Sequence, residues 1–414
     1  MLRFAFRPTD DMNIEELRVA LFNSILSKQK NEDFIVRIDD IDKENLVESK
    51  EQETLGLLSL FGIEYSQVLH ETQNVRFHSA MALDLLHKKK AFSCFCSDDW
   101  LDKKREEAKE KNEEYYYDDA CRNLPAELVI DNTAPFTVRI ARPDKPIMNF
   151  EPDSVDSFII MNRDKTPTAN FAAAVDDMLS DISAIVSQNK DRNDTAKQMH
   201  VRDALGYEKE IEYTYLPAIE SEKSISIKEL LEEGYLPEAI SNYIISLTIN
   251  TPKEIFTLNE VQEWFSVENI SDSSTLFDIE MLKHINQEHL KMMDAKELSR
   301  YVGFADADIG ELAKVYVKNI STTKELKAKI APIFEQKEIP EEFTQQILSI
   351  KESIQKAPYF EEYDDFKKYL MNDTGLQEED FLKPLSILLT NADDASDLST
   401  IYKYLKNYLG EIIK

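Results

Sequence analysis

Glycine is scarce in this chain: 8 residues in 414, where about 7% is usual. Loops that cradle phosphate on bare backbone N–H groups are therefore largely missing. Cysteine is scarcer still, and three thiols in so long a chain argue against a disulfide framework and suit a reducing compartment. No apolar run approaches the roughly 18 residues of a membrane helix. The chain opens into an apolar strand without the basic and apolar regions of a signal peptide, so the cytoplasm is the expected location. Basic residues are in deficit, 49 against 79 acidic ones, and the net charge of −30 is spread over both halves. A polyanion binder normally presents a basic face, so this balance favours a protein partner over RNA. There is no P-loop, no G-x-S-x-G elbow and no H-E-x-x-H, and the six histidines show no metal or nucleophile spacing.

What is present is a globular composition, with 42% hydrophobic residues and 10% aromatics over a length that calls for more than one domain. Leu2–Phe6 reads as a strand. Ile14, Leu17, Leu21 and Ile25 recur at helical spacing up to about Lys28. "FIVRI" (Phe34–Ile38) lacks polar alternation, as in a buried parallel strand, and completes a βαβ unit. Helices are expected at Glu48–Phe61 and Asn74–Lys89, "AFSCFCS" opens a different region, and "FTVRIARP" and "DSFIIMN" read as strands. The charged run Asp98–Lys111 reads as a solvated helix with i,i+4 pairs. "FAAAVDDMLSDISAIVSQ" turns from helix to strand near Ile182, and beyond about Ile225 the pattern is helical.

The blocks "RFAFRPT…NIEELRVALFN", "FIVRIDDIDKE", "CFC…YYYDDACR", "PTANFAAAVDDML", "DTAKQ" and "EEGYLPEAISNYI" stand in the order and spacing of bacterial glutamyl-tRNA synthetases. Residues 1–250 resemble that family, and the likeness fades beyond them. The resemblance implies an α/β fold followed by α-helical domains. A split Rossmann-type nucleotide-binding core, residues 1–75 plus 169–217, would enclose an acceptor-binding insertion over 76–168. A stem-contact helical domain over 218–300 and a reduced anticodon-binding-type helical domain over 301–414 would follow.

At the family's signature positions the chemistry departs from the pattern. His-Ile-Gly-His, which receives ATP at a helix N-terminus, becomes Asn13, Ile14, Glu15 and Glu16. Together with Asp10 and Asp11, these carboxylates suit the helix N-terminus themselves and repel a triphosphate. One like-charge pair at ~4 Å costs about 4 kcal/mol at an effective dielectric near ~20. The mobile Lys-Leu-Ser-Lys loop is replaced by "AIESEKSISIKELLEEGYL", shorter by roughly ten residues, with Lys223 and Lys228 nearby. In the glutamate pocket, the arginine falls on Ser187, the aromatic on Ala169, the ammonium-holding carboxylate shortens to Asp39, and a small residue becomes Arg7. Arg3 keeps its identity. ATP and glutamate binding are therefore not expected, and neither a catalytic residue nor an organic cofactor is assigned.

Cys94, Cys96 and Cys121 keep the spacing of a structural zinc site found in some of these synthetases, with Tyr117 or Asn123 at the fourth-ligand position. Three buried free thiols are the alternative. Asp39 and Asp42 of "RIDDID" read as strand-end capping in preference to a magnesium site. The sequence thus predicts a catalytically inactive glutamyl-tRNA synthetase-like protein, a pseudo-enzyme acting as a regulatory or scaffold protein through a protein partner or self-association. A tRNA-binding pseudo-synthetase and an active glutamate–tRNA ligase are the alternatives.

Overall fold

The structure, a computed structural model, describes residues 1–148, 155–393 and 397–413. Residues 149–154 of the expected insertion, and 394–396 and 414 of the expected last domain, lie outside the described residues. The chain forms two compact units, Met1–Ile227 with Leu247–Asn250 and Leu258–Phe277, and Lys228–Ser246 with Thr251–Thr257 and Asp278–Lys414. The first takes in the expected core and insertion together, along with residues 218–227, 247–250 and 258–277 of the expected stem-contact domain.

In the first unit β1 (Leu2–Phe6), α1 (Ile14–Lys30), β2 (Phe34–Ile38), α2 (Glu48–Leu60), β3 (Gln67–His70) and α3 (Val75–His87) alternate as the sequence pattern requires. The insertion follows as β4 (Ala91–Cys94), α4 (Asp98–Glu110), α5 (Ala126–Ile130), β5 (Thr137–Ile140) and β6 (Ile159–Met161). Then come α6 (Ala169–Leu179), β7 (Ala184–Gln188), α7 (Arg192–Leu205) and β8 (Glu212–Leu216). The main sheet is parallel, in the order β3-β2-β1-β7-β8, and all five residues of β2 are buried.

This strand order reverses between β1 and β7, the place where doubly wound sheets open a ligand crevice. β1 is in register with β2 over five residues, whereas its register with β7 is the single pair Leu2↔Ala184. Beyond that pair, the buried Asn23 of α1 takes over. Its amide accepts from the Val186 N–H at 2.9 Å and donates to the Val186 carbonyl at 2.8 Å. A side chain thereby satisfies backbone groups that the parted strands leave unmatched.

The insertion's antiparallel sheet, β4-β5-β6, shares a core with the helices around it. Ile140 and Ile160 pack in one cluster with Leu85 of α3, Phe171 and Val175 of α6, and Val201 of α7. The expected helical run beyond Ile225 needs one correction. Within it lies one short strand, β10 (Thr275–Leu276), which pairs in parallel with β9 (Ile219–Glu220), a strand just before that run in the same unit. A two-residue strand carries no readable period, so the alternation that marks longer strands had no room to appear.

The second unit is helical. Asp278, Asp294 and Asp306 each accept N–H groups at a helix start, and Thr322 forms a capping box with Glu325. Such caps are worth about 1 kcal/mol each and account for part of the acidic composition. Among the described residues no helix is long and apolar enough to cross a membrane.

Two glycines give opposite expectations for the same substitution. A Cβ on Gly310, in the helix Ala307–Val317, would fall 1.7 Å from the Ala295 carbonyl oxygen, whereas one on Gly56, in α2, meets nothing within 4 Å. Gly310→Ala should therefore cost about 1–3 kcal/mol through forced backbone movement. Gly56→Ala should add about 0.5–1 kcal/mol by removing unfolded-state freedom. Urea unfolding midpoints for the two variants check both signs.

Candidate functional site

The switch point between β1 and β7 is where such a sheet would take a ligand, and α1 follows β1 directly, so its N-terminal backbone donors are the ones to place. Asn13 caps the helix from extended backbone, its Oδ1 accepting from the Glu15 and Glu16 N–H groups at 3.0 Å each. The Glu16 carboxylate reaches back to the Asn13 N–H at 2.9 Å, completing a capping box. Ile14 N–H donates to the Ile225 carbonyl at 3.0 Å, and Ile227 N–H donates to the Met12 carbonyl at 3.0 Å. Residues 225–227 thus lie antiparallel against 12–14, around the bridge Asn13↔Ser226. Every first-turn donor is matched from within the chain. Burial raises the Glu16 carboxyl above its ordinary value, against the pull of the Asn13 N–H. Glu15 turns sideways, accepting from the Ile219 N–H at 3.1 Å, with Arg18 and Lys190 each 3.9 Å away.

The expected pocket residues separate into different settings. Arg3 forks onto Asp177 at 2.6 and 3.0 Å, and the buried Arg37 bridges Asp177 at 2.9 Å to Asp39 at 2.7 Å. Arg3 and Asp39 therefore belong to one network. Burial alone would raise the Asp177 carboxyl, but Arg3, Arg37 and Arg202 outweigh it and hold the group below its usual range. Arg7 turns to the following loop and binds the Asp42 carboxylate and the Glu44 carbonyl, both at 2.7 Å. Ser187 Oγ donates to Asp191 at 2.7 Å, and Ala169 is exposed at the start of α6. Asp42 accepts from the Glu44 N–H at 3.0 Å in a local turn, whereas α2 starts at Glu48 without a side-chain cap and Asp39 pairs with Arg37, so neither aspartate caps that helix.

Asp177 and its neighbour Asp176 were not singled out from the sequence. Their signal was visible in "FAAAVDDML", where two adjacent carboxylates interrupt an otherwise apolar helix. Such residues are almost never fully buried unless paired.

In the insertion, the Sγ atoms of Cys94, Cys96 and Cys121 lie within 4.8 Å of one another. The Tyr117 hydroxyl stands 3.3 Å from Cys94 Sγ and 3.4 Å from Cys96 Sγ, whereas Asn123 is exposed. Arg139 donates to Cys94 Sγ at 3.4 Å and stacks 3.9 Å over the Tyr117 ring. Burial would raise the Cys94 thiol, but hydrogen bonds from Tyr117, the Cys96 backbone and Arg139 bring it down to about 7. Burial pushes Cys96 up to about 12 and raises the Tyr117 phenol as well. The three convergent sulfurs form a soft donor set of metal-ligand type, with the Tyr117 hydroxyl beside them.

With this geometry in view, comparison with known proteins is informative. The family description "tRNA synthetases class I (E and Q), catalytic domain" matches residues 1–284. The chain is 57% identical to glutamate–tRNA ligase 2 of Sulfurimonas denitrificans, with 100% of both chains covered. It is 44% identical to glutamate–tRNA ligase 1 of Nitratiruptor sp., again over 100% of each. Both alignments run over 432 positions against 414 residues here, so these relatives carry short stretches that this chain lacks. Among solved structures, a glutamate tRNA ligase from Elizabethkingia meningosepticum in complex with its amino acid has the same fold. Its TM-score is 0.81 at 19% identity, covering 99% of this chain and 97% of that one.

Glu71, just beyond β3, supplies a pH test of the buried network. Its Oε1 lies 3.6 Å from Arg37 Nε without a hydrogen bond, because Arg37 already serves Asp39 and Asp177. Burial, with Asp39 adding repulsion, pushes the carboxyl up to about 9. The folded state then binds this proton more tightly than the unfolded state does. Its contribution to stability is complete below the ordinary glutamate range and is lost as pH rises toward 9. Glu71→Gln should flatten the decline in stability between about pH 5 and 9, measured by urea unfolding across that range.

Proposed function

The chain belongs to the class I tRNA synthetases of the glutamate and glutamine type, and we propose that it binds tRNA through its insertion without activating glutamate. One observation carries the first half of this reading. The N-terminus of α1, where the fold would receive phosphate, has all of its first-turn N–H groups matched internally. A helix N-terminus attracts anions through unpaired donors and its dipole, and here the donors are already taken. The pairing of Arg3 with Asp177 and of Asp39 with Arg37 supports the same conclusion for the amino-acid pocket.

The choice of tRNA rests on the family and on where the acidity lies. Residues 76–168 hold 15 basic residues against 18 acidic ones, so most of the excess negative charge lies elsewhere in the chain. In the family this insertion grips the acceptor end, and a near-neutral face can make phosphate contacts that an acidic face cannot. A protein partner is the second reading, favoured by the strong acidity outside the insertion. The activity named in the relatives, glutamate–tRNA ligation, is the reading that the assay below excludes or restores.

Pyrophosphate exchange with glutamate, ATP and total tRNA should stay at background, and total tRNA should be retarded in a mobility shift at low salt. The shift should weaken by about tenfold or more between ~50 and ~200 mM salt. Exchange that depends on glutamate would overturn the closed-site reading. Absence of a tRNA shift, with a protein recovered by pull-down, would transfer the assignment to the second reading.

With the tRNA assignment goes a structural zinc on Cys94, Cys96, Cys121 and Tyr117, bound to tie β4 to the loop before α5. Its chemistry would be structural only, a clamp of convergent ligands. Elemental analysis should find about one zinc per chain, and Cys96→Ser should lower that several-fold while leaving the parallel sheet folded. Zinc-free protein with slow thiol alkylation would instead assign three buried thiols.

A further inference from the structure

Arg18 of α1 is fully buried, yet its guanidinium is poorly satisfied. Nη2 donates to the Pro217 carbonyl, while Nε and Nη1 have no hydrogen-bond partner. Burial lowers its proton affinity to about 10, with Glu15 pulling the other way. Beside it the Ile219 N–H points at Glu15, and the Lys190 ammonium stands 3.9 Å from the same carboxylate. One backbone donor and two cations, Arg18 through Nη2 and Lys190, both at 3.9 Å, thus surround one side chain from three separate elements: β9, α1 and the segment after β7.

We propose that Glu15 is a tethered internal anion: its carboxylate occupies a latent oxyanion site formed by Arg18, Lys190 and the Ile219 N–H, and keeps soluble phosphate out. This deepens the closed-site reading and rests on it, but it concerns donors distinct from the helix N–H groups that Asn13 and Ile225 satisfy. A carboxylate carried on the neighbouring helix turn acts at a high effective concentration, so a free anion competes poorly with it. Its removal leaves a buried cation without a counter-charge, and such a cation recruits whatever small oxyanion can reach it. The ligand class of the vacated site is a tetrahedral oxyanion of phosphate size.

The test uses the full chain and inorganic phosphate, with chloride at equal ionic strength as the reference. Glu15→Ala and the neutral isostere Glu15→Gln should each lose thermal stability in chloride and recover it in phosphate. By calorimetric titration they should bind phosphate at least tenfold tighter than the unmodified chain. Lys190→Ala, at a largely exposed position, should weaken that acquired binding several-fold in the Glu15→Gln background. An identical phosphate response in the unmodified chain and in Glu15→Gln overturns the proposal, as does indifference to Lys190→Ala. If Glu15→Ala does not fold, Glu15→Gln alone decides the outcome. Glutamate-dependent pyrophosphate exchange by the unmodified chain would sink the closed-site reading itself. Background exchange together with absent phosphate rescue would remove only the role given to Glu15.

Discussion

Asp177 is the carboxylate on which the first unit depends. It projects from α6 into the interior, where Arg3 of β1 and Arg37 of β2 donate to it and Arg202 of α7 lies 3.8 Å away. The adjacent Asp176 accepts from Asn74 at 2.9 Å and pairs with His78 of α3 at 2.8 Å. Two neighbouring residues therefore bind two strands and two helices to α6. Loss of the Asp177 charge would leave the buried Arg37 and Arg202 and the half-buried Arg3 under-compensated, and breaking even one buried pair commonly costs about 3–5 kcal/mol. The same arrangement has a chemical consequence. Arg3, the one pocket residue whose identity matches the family, is already committed to an internal carboxylate.

The crevice shows the same logic at its other wall. An active site built on a helix N-terminus keeps donors unsatisfied until the ligand arrives, and the fold must tolerate that strain elsewhere. In this chain Asn13, Glu16 and the carbonyl of Ile225 meet those donors. These pairings stabilise the N-terminus of α1 in the absence of any substrate. The insertion's cysteine cluster draws on β4 and the loop before α5, and its hydrogen bonds among the described residues do not involve the N-terminus of α1.

How much of this was legible depended on the range of the interactions. The capped start of α1 was readable because Asn13, Glu15 and Glu16 lie within one turn and obey a local rule. β2 was readable because a run buried on both faces has no polar alternation. The pairing of Arg3 with Asp177 spans 174 positions, and no local pattern announces a partner at that distance. Glu71 was missed for a related reason. A lone glutamate after a short strand looks solvated until the fold buries it against Arg37 and Asp39. Tyr117 and Asn123 were equal by spacing alone, and only the turn of the chain brings the tyrosine hydroxyl onto the sulfurs.

The acidity deserves a different reading once it is mapped. As a total, −30 argued against a polyanionic partner. Steering, however, depends on how charge is distributed as well as on its sum. With 15 basic against 18 acidic residues, positions 76–168 are close to balanced, and most of the excess negative charge lies in the remainder of the chain. Such a distribution disfavours indiscriminate binding along any nucleic acid, because most encounters meet a negative surface. Charge distributed in this way biases the orientation of an encounter with any polyanion, and it acts against wrong encounters more than it strengthens a right one.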